Sequence, residues 1–151
     1  MPPQSVTKQK LADGTTQWSV GGFVTTIRTI APGVVYCTAA SSGEQVFIPE
    51  VVEMMEAEIA AHGHLVVFVN LLDAVRFSGP ARESWAAWAK KQKQHASAHF
   101  LVRSKLVDMA LSLIAMFSGA DLRSYADMER FLAAMRQAAP HAVLPKLRNV
   151  A

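Results

Sequence analysis

The chain has 151 residues, 51% of them hydrophobic and 18% charged, which suffices for one well-filled core and is too little for two ordinary domains. No uncharged apolar run approaches the roughly 20 residues needed to cross a bilayer, and a formal net charge of +3, spread from Lys8 to Arg148, gives no strong nucleic-acid signal. The start, Met1-Pro2-Pro3-Gln4, lacks the basic and then apolar pattern of a secretory signal, so a cytoplasmic location is expected, and Cys37, the single cysteine, rules out an intramolecular disulfide.

Residues 1–20 are polar, turn at Asp13-Gly14, and read as a flexible arm with an edge strand around Thr16 to Val20. A domain is expected over 21–138 and a tail over 139–151. The β-branched run Phe23 to Ile30, the turn Ala31-Pro32-Gly33 and the run from Val34 predict a β-hairpin. Pro49 and Glu50 suit a helix start, and the apolar positions 51, 52, 55 and 59 give that helix one buried face as far as His62-Gly63. From His64 to Asp73 polar alternation is missing until Asn70, the signature of a central strand covered on both faces.

Ser78-Gly79-Pro80 then opens a helix carrying Trp85 and Trp88 inward, with Lys90-Lys91-Gln92-Lys93 as a solvated charged face. His99 to Arg103 is a short strand, Val107 to Phe117 a helix with only Asp108 and Ser112 as polar interruptions, and Ser118-Gly119 its stop. Leu122 to Ala126 is a last strand, Asp127 caps a last helix, and Pro140 terminates it. The fold class is therefore α/β: a mixed, mostly parallel sheet of four to five strands with about four helices, joined by right-handed crossovers.

No cofactor is called for. The chain holds no Gly-x-x-x-x-Gly-Lys loop, no Gly-x-Gly-x-x-Gly and no Gly-x-Ser-x-Gly elbow. His62 and His64 flank a glycine turn, His95 and His99 straddle a helix end, and His141 lies in the tail, so the histidines form no metal set.

The order of elements, with Leu65 to Asp73 leading into a Ser-Gly turn, Trp88 near the middle of the next helix, His99 to Arg103 followed by Ser104-Lys105, and the terminal Tyr125-Ala126-Asp127-Met128-Glu129-Arg130-Phe131-Leu132, resembles the STAS-like superfamily in its SpoIIAA-like branch. The likeness covers roughly Phe23 to Arg136. It implies a small bacterial regulatory module, not an enzyme, that acts by binding protein partners or a second copy of itself. In the family's anti-sigma-factor antagonists a serine at this turn is phosphorylated by a partner kinase, and Ser78 is the nearest match. Those antagonists usually carry Asp-Ser-Ser-Gly or Asp-Ser-Thr-Gly there, whereas this chain has Arg76-Phe77-Ser78-Gly79.

Three functional classes follow: a partner-binding module, a small-ligand binder, and an enzyme with a site assembled from scattered residues. Ser78 is either a helix cap or a phosphate acceptor, and Met109, Leu113, Met116 and Phe117 belong either to the core or to an interface. Asp73, Arg76, Arg103 and Lys105 are candidate contacts for a partner or for a small ligand, lipid or nucleotide, at the strand ends. An exposed apolar patch on the Met109 to Phe117 helix with no enclosed pocket favours partner binding, whereas a cavity near Asp73 lined by that helix favours a ligand.

Overall fold

The computed structural model describes residues 6–20, 23–39, 48–74 and 79–147. In chain order these form β1 (Val6–Lys10), β2 (Thr16–Val20), β3 (Phe23–Ala31), β4 (Val34–Thr38), α1 (Ile48–His62), β5 (Leu65–Leu71), α2 (Gly79–Lys91), β6 (Ala96–Val102), α3 (Lys105–Ser118), β7 (Asp121–Tyr125) and α4 (Met128–Ala138). The sheet of the described residues has seven strands rather than the four to five expected, in the order β1-β2-β3-β4-β5-β6-β7. It is also less parallel than expected: β1 to β4 pair antiparallel and β4 to β7 pair parallel.

Both β1 and β2 lie in the stretch that reads as a flexible arm; β2 coincides with the edge strand expected around Thr16 to Val20, and β1 is additional. Residues of β1 are exposed throughout, so its sequence shows no buried periodicity, and it is held by backbone pairing to β2 and by the side chain of Lys8. In β2 the fully buried Trp18 supplies the missing anchor, since its indole Nε1 donates to Glu50 of α1 at 3.2 Å while Lys8 of β1 reaches the same carboxylate at 2.9 Å. The hydrogen bond from Lys8 and then that from Trp18 hold the Glu50 carboxyl below the usual range.

Alternation along β5 explains its unbroken apolar run. Leu65, Val67, Val69 and Leu71 face one layer and Val66 and Phe68 the other, so both faces are covered. Because each parallel step moves the same way across the sheet, crossovers of one hand put α1, α2 and α3 on one face. Val51 and Met55 of α1, the Trp85–Trp88 pair of α2, and Val107 and Leu111 of α3 accordingly pack on the odd-numbered side of β5. After β7 the chain crosses to the other face, where Phe131 and Met135 of α4, both fully buried, seat on Phe68, Leu101 and Tyr36. Burial of each stabilises by roughly 2 kcal/mol.

Local signals fix the ends of these elements. Asp127 accepts from Glu129 N at 2.8 Å to cap α4, Ser104 accepts from Val107 N at 3.3 Å to cap α3, and Gly119, at φ 71°, closes α3 in the left-handed region. Beyond α4 the described residues 139–147 hold no helix or strand, yet Leu144 and Leu147 pack against the α4 face. No helix of the described residues is long and apolar enough to cross a membrane.

Candidate functional site

At the carboxyl ends of the parallel strands, the polar groups are mostly engaged in holding the backbone. Asn70, the residue that interrupts β5, donates to the Tyr36 hydroxyl at 3.2 Å and accepts from Leu72 N at 3.0 Å, turning the chain out of the strand. Burial pushes the Tyr36 phenol up, against the opposing effect of the Asn70 hydrogen bond. Asp73 and Arg103 are both exposed, and no ion pair joins them among the described residues. Lys105 opens α3 and is exposed as well. Arg76 and Ser78 lie outside the described residues.

The histidines are dispersed, and no cluster of three potential metal ligands exists among the described residues. His99 lies in β6, the strand expected there, half-buried, with Phe68 stacked on one side at 4.7 Å and Tyr125 on the other at 5.7 Å. Its Nδ1 is 2.8 Å from the Tyr125 hydroxyl. Burial, and next the Arg123 charge, hold its imidazole below the ordinary histidine range, with Asp121 opposing. Cys37 is buried on the helix-covered face, where desolvation pushes its thiol up to about 12, so it is neutral and unreactive.

The most distinctive surface is on α3. Its buried side consists of Val107, Ala110, Leu111, Ile114 and Ser118. A second apolar row, Leu106, Met109, Leu113, Met116 and Phe117, is exposed, reaching 72% at Met116 and 75% at Phe117. The spacing of 3, 4 and 3 residues lines up Leu106, Met109, Leu113 and Met116 along the helix, with Phe117 at the edge of the same face, and the two rows together span about 220° of the circumference, more than covering a sheet requires. The polar side of α3 faces β7, because Asp108 accepts from Ser124 of β7 at 2.7 Å. The exposed row therefore runs along the α2 side of α3. Leu106 belongs to that row and went unnoticed in the sequence, although its three-residue spacing to Met109 is the signal that identifies it.

The flank of α2 beside this row is basic and small. Lys93, just past the end of α2, lies beside the α3 cap at Gly119, where a Cβ would sit 3.9 Å from its Cδ, and the helical row that leads back from it holds Ala89, Ala86 and Arg82. Lys91 instead turns to Glu56 of α1 at 3.7 Å, and Trp88 Nε1 donates to the same Glu56 carboxylate at 3.2 Å. The lysine cluster is thus split between two faces rather than forming one stripe for phosphates.

Inside the helical layer, between the sheet and α1, α2 and α3, lies an apolar cavity of about 130 Å3. Leu111 and Ile114 of α3 line it, as expected of a ligand cavity, but along β5 it is bordered by Val67, Val69 and Leu71 and extends no further, and neither Asp73 nor Arg103 borders it.

No family model matches the chain, and no curated protein matches it. Among solved structures the chain is similar to an anti-sigma factor antagonist from Mycobacterium paratuberculosis, with 15% identity over 85% of this chain and 99% of that one and a TM-score of 0.50. It is also similar to an uncharacterized protein with a SpoIIAA-like fold from Shewanella loihica PV-4, with 11% identity over 87% and 93% of the two chains and a TM-score of 0.44. Identity this low speaks to architecture alone: the chain shares the fold of that anti-sigma factor antagonist.

Proposed function

We propose that the chain is a non-enzymatic regulatory or scaffolding module that binds a protein partner through the exposed row of α3 and the adjoining flank of α2. The carrying observation is the row of five exposed apolar side chains on one helix, since isolated apolar residues are ordinary on a surface but a contiguous helical row is characteristic of an interface. Arg82 and Lys93 beside the row, with Lys105 at its start, suit a partner segment that presents apolar side chains flanked by carboxylates. The anti-sigma factor antagonist supports the same class of function by fold. Ser78 directly precedes α2 in the chain, so a phosphate there would add negative charge beside this basic flank and repel an acidic partner.

The test is co-purification of the wild type and of a Leu113→Asp/Met116→Asp variant from the native host, with mass-spectrometric identification of what is retained and sedimentation velocity for self-association. The expected result is one acidic partner, or a dimer, lost in the variant while its thermal midpoint stays within a few degrees, because both positions are exposed. Equal retention by both proteins, or a wild type that remains a partnerless monomer, would refute the reading. A Ser78→Asp protein that keeps every wild-type contact would remove the phosphate switch from it.

A further inference from the structure

Beneath α2 the helical layer does not close on the sheet. The register places Ala98 of β6 between Val67 of β5 and Leu122 of β7, so a methyl group stands where both neighbours carry branched side chains. Cys37, also small, contributes to the same floor. Above it, Trp85 and Trp88 of α2 form the roof, yet both are only partly buried although they point toward the sheet. Their rings meet edge to face at 6.2 Å and 86°, and the hydrogen bond from Trp88 to Glu56 holds that ring toward α1, so the pair spans the space instead of collapsing into it. The remaining volume is the 130 Å3 cavity.

The lining dictates what can enter. Among its polar groups, the Thr26 and Thr38 hydroxyls hydrogen-bond each other at 2.6 Å, Thr25 adds a third hydroxyl, and the Cys37 thiol is neutral. Among the described residues no charged side chain lines the cavity, so a phosphate or carboxylate inside would lose its hydration without compensation from them. Water has too few partners there to be held well, and an apolar cavity of roughly 150 Å3 in a protein interior admits benzene. An occupant of that kind would restore the dispersion contacts that the walls lack.

We infer that the space between α2 and the sheet is a binding site for a compact, uncharged apolar group: a single aromatic ring, or the methyl end of an acyl chain whose head stays outside. This is independent of the exposed row of α3, because the α3 residues that line the cavity, Leu111 and Ile114, belong to that helix's buried side. Nucleotides are excluded from it by size and charge.

The probes are toluene, for a free small molecule, and decanoate, for the end of a chain, each titrated into the full chain and read by thermal midpoint and by tryptophan emission. The expected result is a rise in midpoint with at least one probe, accompanied by a change in emission, since two of the three tryptophans form the roof. Response to toluene alone assigns the site to small molecules, and response to decanoate assigns it to an acyl end. Ala98→Leu fills the floor and is expected to weaken binding at least tenfold. Ala98→Val, a smaller change for which folding is checked by circular dichroism, is expected to weaken it by a lesser factor. No response to either probe overturns the assignment, as does undiminished affinity in a folded Ala98→Leu or Ala98→Val protein.

Discussion

Replacement of Phe131 by alanine tests whether the two faces of the sheet form one cooperative unit. Phe131 is fully buried and is the contact between α4 and the aromatic stack of the sheet, meeting Phe68 edge to face at 5.7 Å and Tyr125 at 6.0 Å. Truncating such a ring costs about 4 kcal/mol, the sum of lost transfer energy, lost ring contacts and the cavity left behind. Against a typical stability of about 5 to 15 kcal/mol this is a large fraction, and for a chain of this size it corresponds to a fall in midpoint of roughly 8 to 16 °C. The assay is urea unfolding followed by tryptophan emission. Trp18, Trp85 and Trp88 all belong to the layer on the opposite face from Phe131, so emission reports the far side of the molecule. If the transition seen from that side shifts by the full amount, α4 and the three-helix layer unfold together. A shift below about 1 kcal/mol, with helix content lost separately in circular dichroism, would refute the coupling through the sheet.

Two further predictions concern His99 and Gly33. The folded state holds the His99 imidazole below its ordinary value, so the unfolded chain binds more protons between the two pKa values, and stability present above about pH 6.5 is lost as pH falls toward the folded pKa. The midpoint should drop on going from pH 7.5 to pH 5.5, and less so in His99→Phe, which keeps a ring between Phe68 and Tyr125; equal drops in both proteins would assign the effect elsewhere. Gly33, at φ 73°, has no room for a Cβ, which would meet the backbone oxygen of His64 at 2.9 Å, whereas Gly14, at φ 89°, faces open space. Gly33→Ala should cost at least about 2 kcal/mol and Gly14→Ala about 1 kcal/mol in chemical denaturation, and equal costs would contradict the close packing at His64.

Much of this architecture is legible in the chain where side chains carry the information. The unbroken run of β5 announces a strand buried on two faces, Asp127 announces the cap of α4, and Gly119 the end of α3. Strand β1 escapes because Val6-Thr7-Lys8-Gln9-Lys10 buries nothing and leaves no periodicity to read. Strand β2, expected as an edge strand around Thr16 to Val20, is anchored by the buried Trp18. The apolar helix α3 cannot be assigned to core or surface by composition, since it has a row of each; the angular position of Asp108, fixed by Ser124, separates them. The cavity is invisible in one dimension because Cys37, Trp85 and Ala98 come together only through the crossovers. Asp73 and Arg103 show the converse, being suggestive in the sequence and unjoined in space.

The sequential strand order also governs how the chain can be assembled as it is synthesised. Every strand lies beside the one made just before it, so no part of the sheet has to wait for a distant partner, and each arriving segment can add to an edge already in place. The hazard is that the newest edge is bare until its successor arrives, and it is greatest when that edge is the apolar β5. Growth ends on β7, a short strand with Asp121 and Arg123 exposed, which discourages the addition of another chain. A protein truncated before β7 should therefore be far more prone to edge-to-edge association than the full chain, and the last strand protects solubility as much as it completes the sheet.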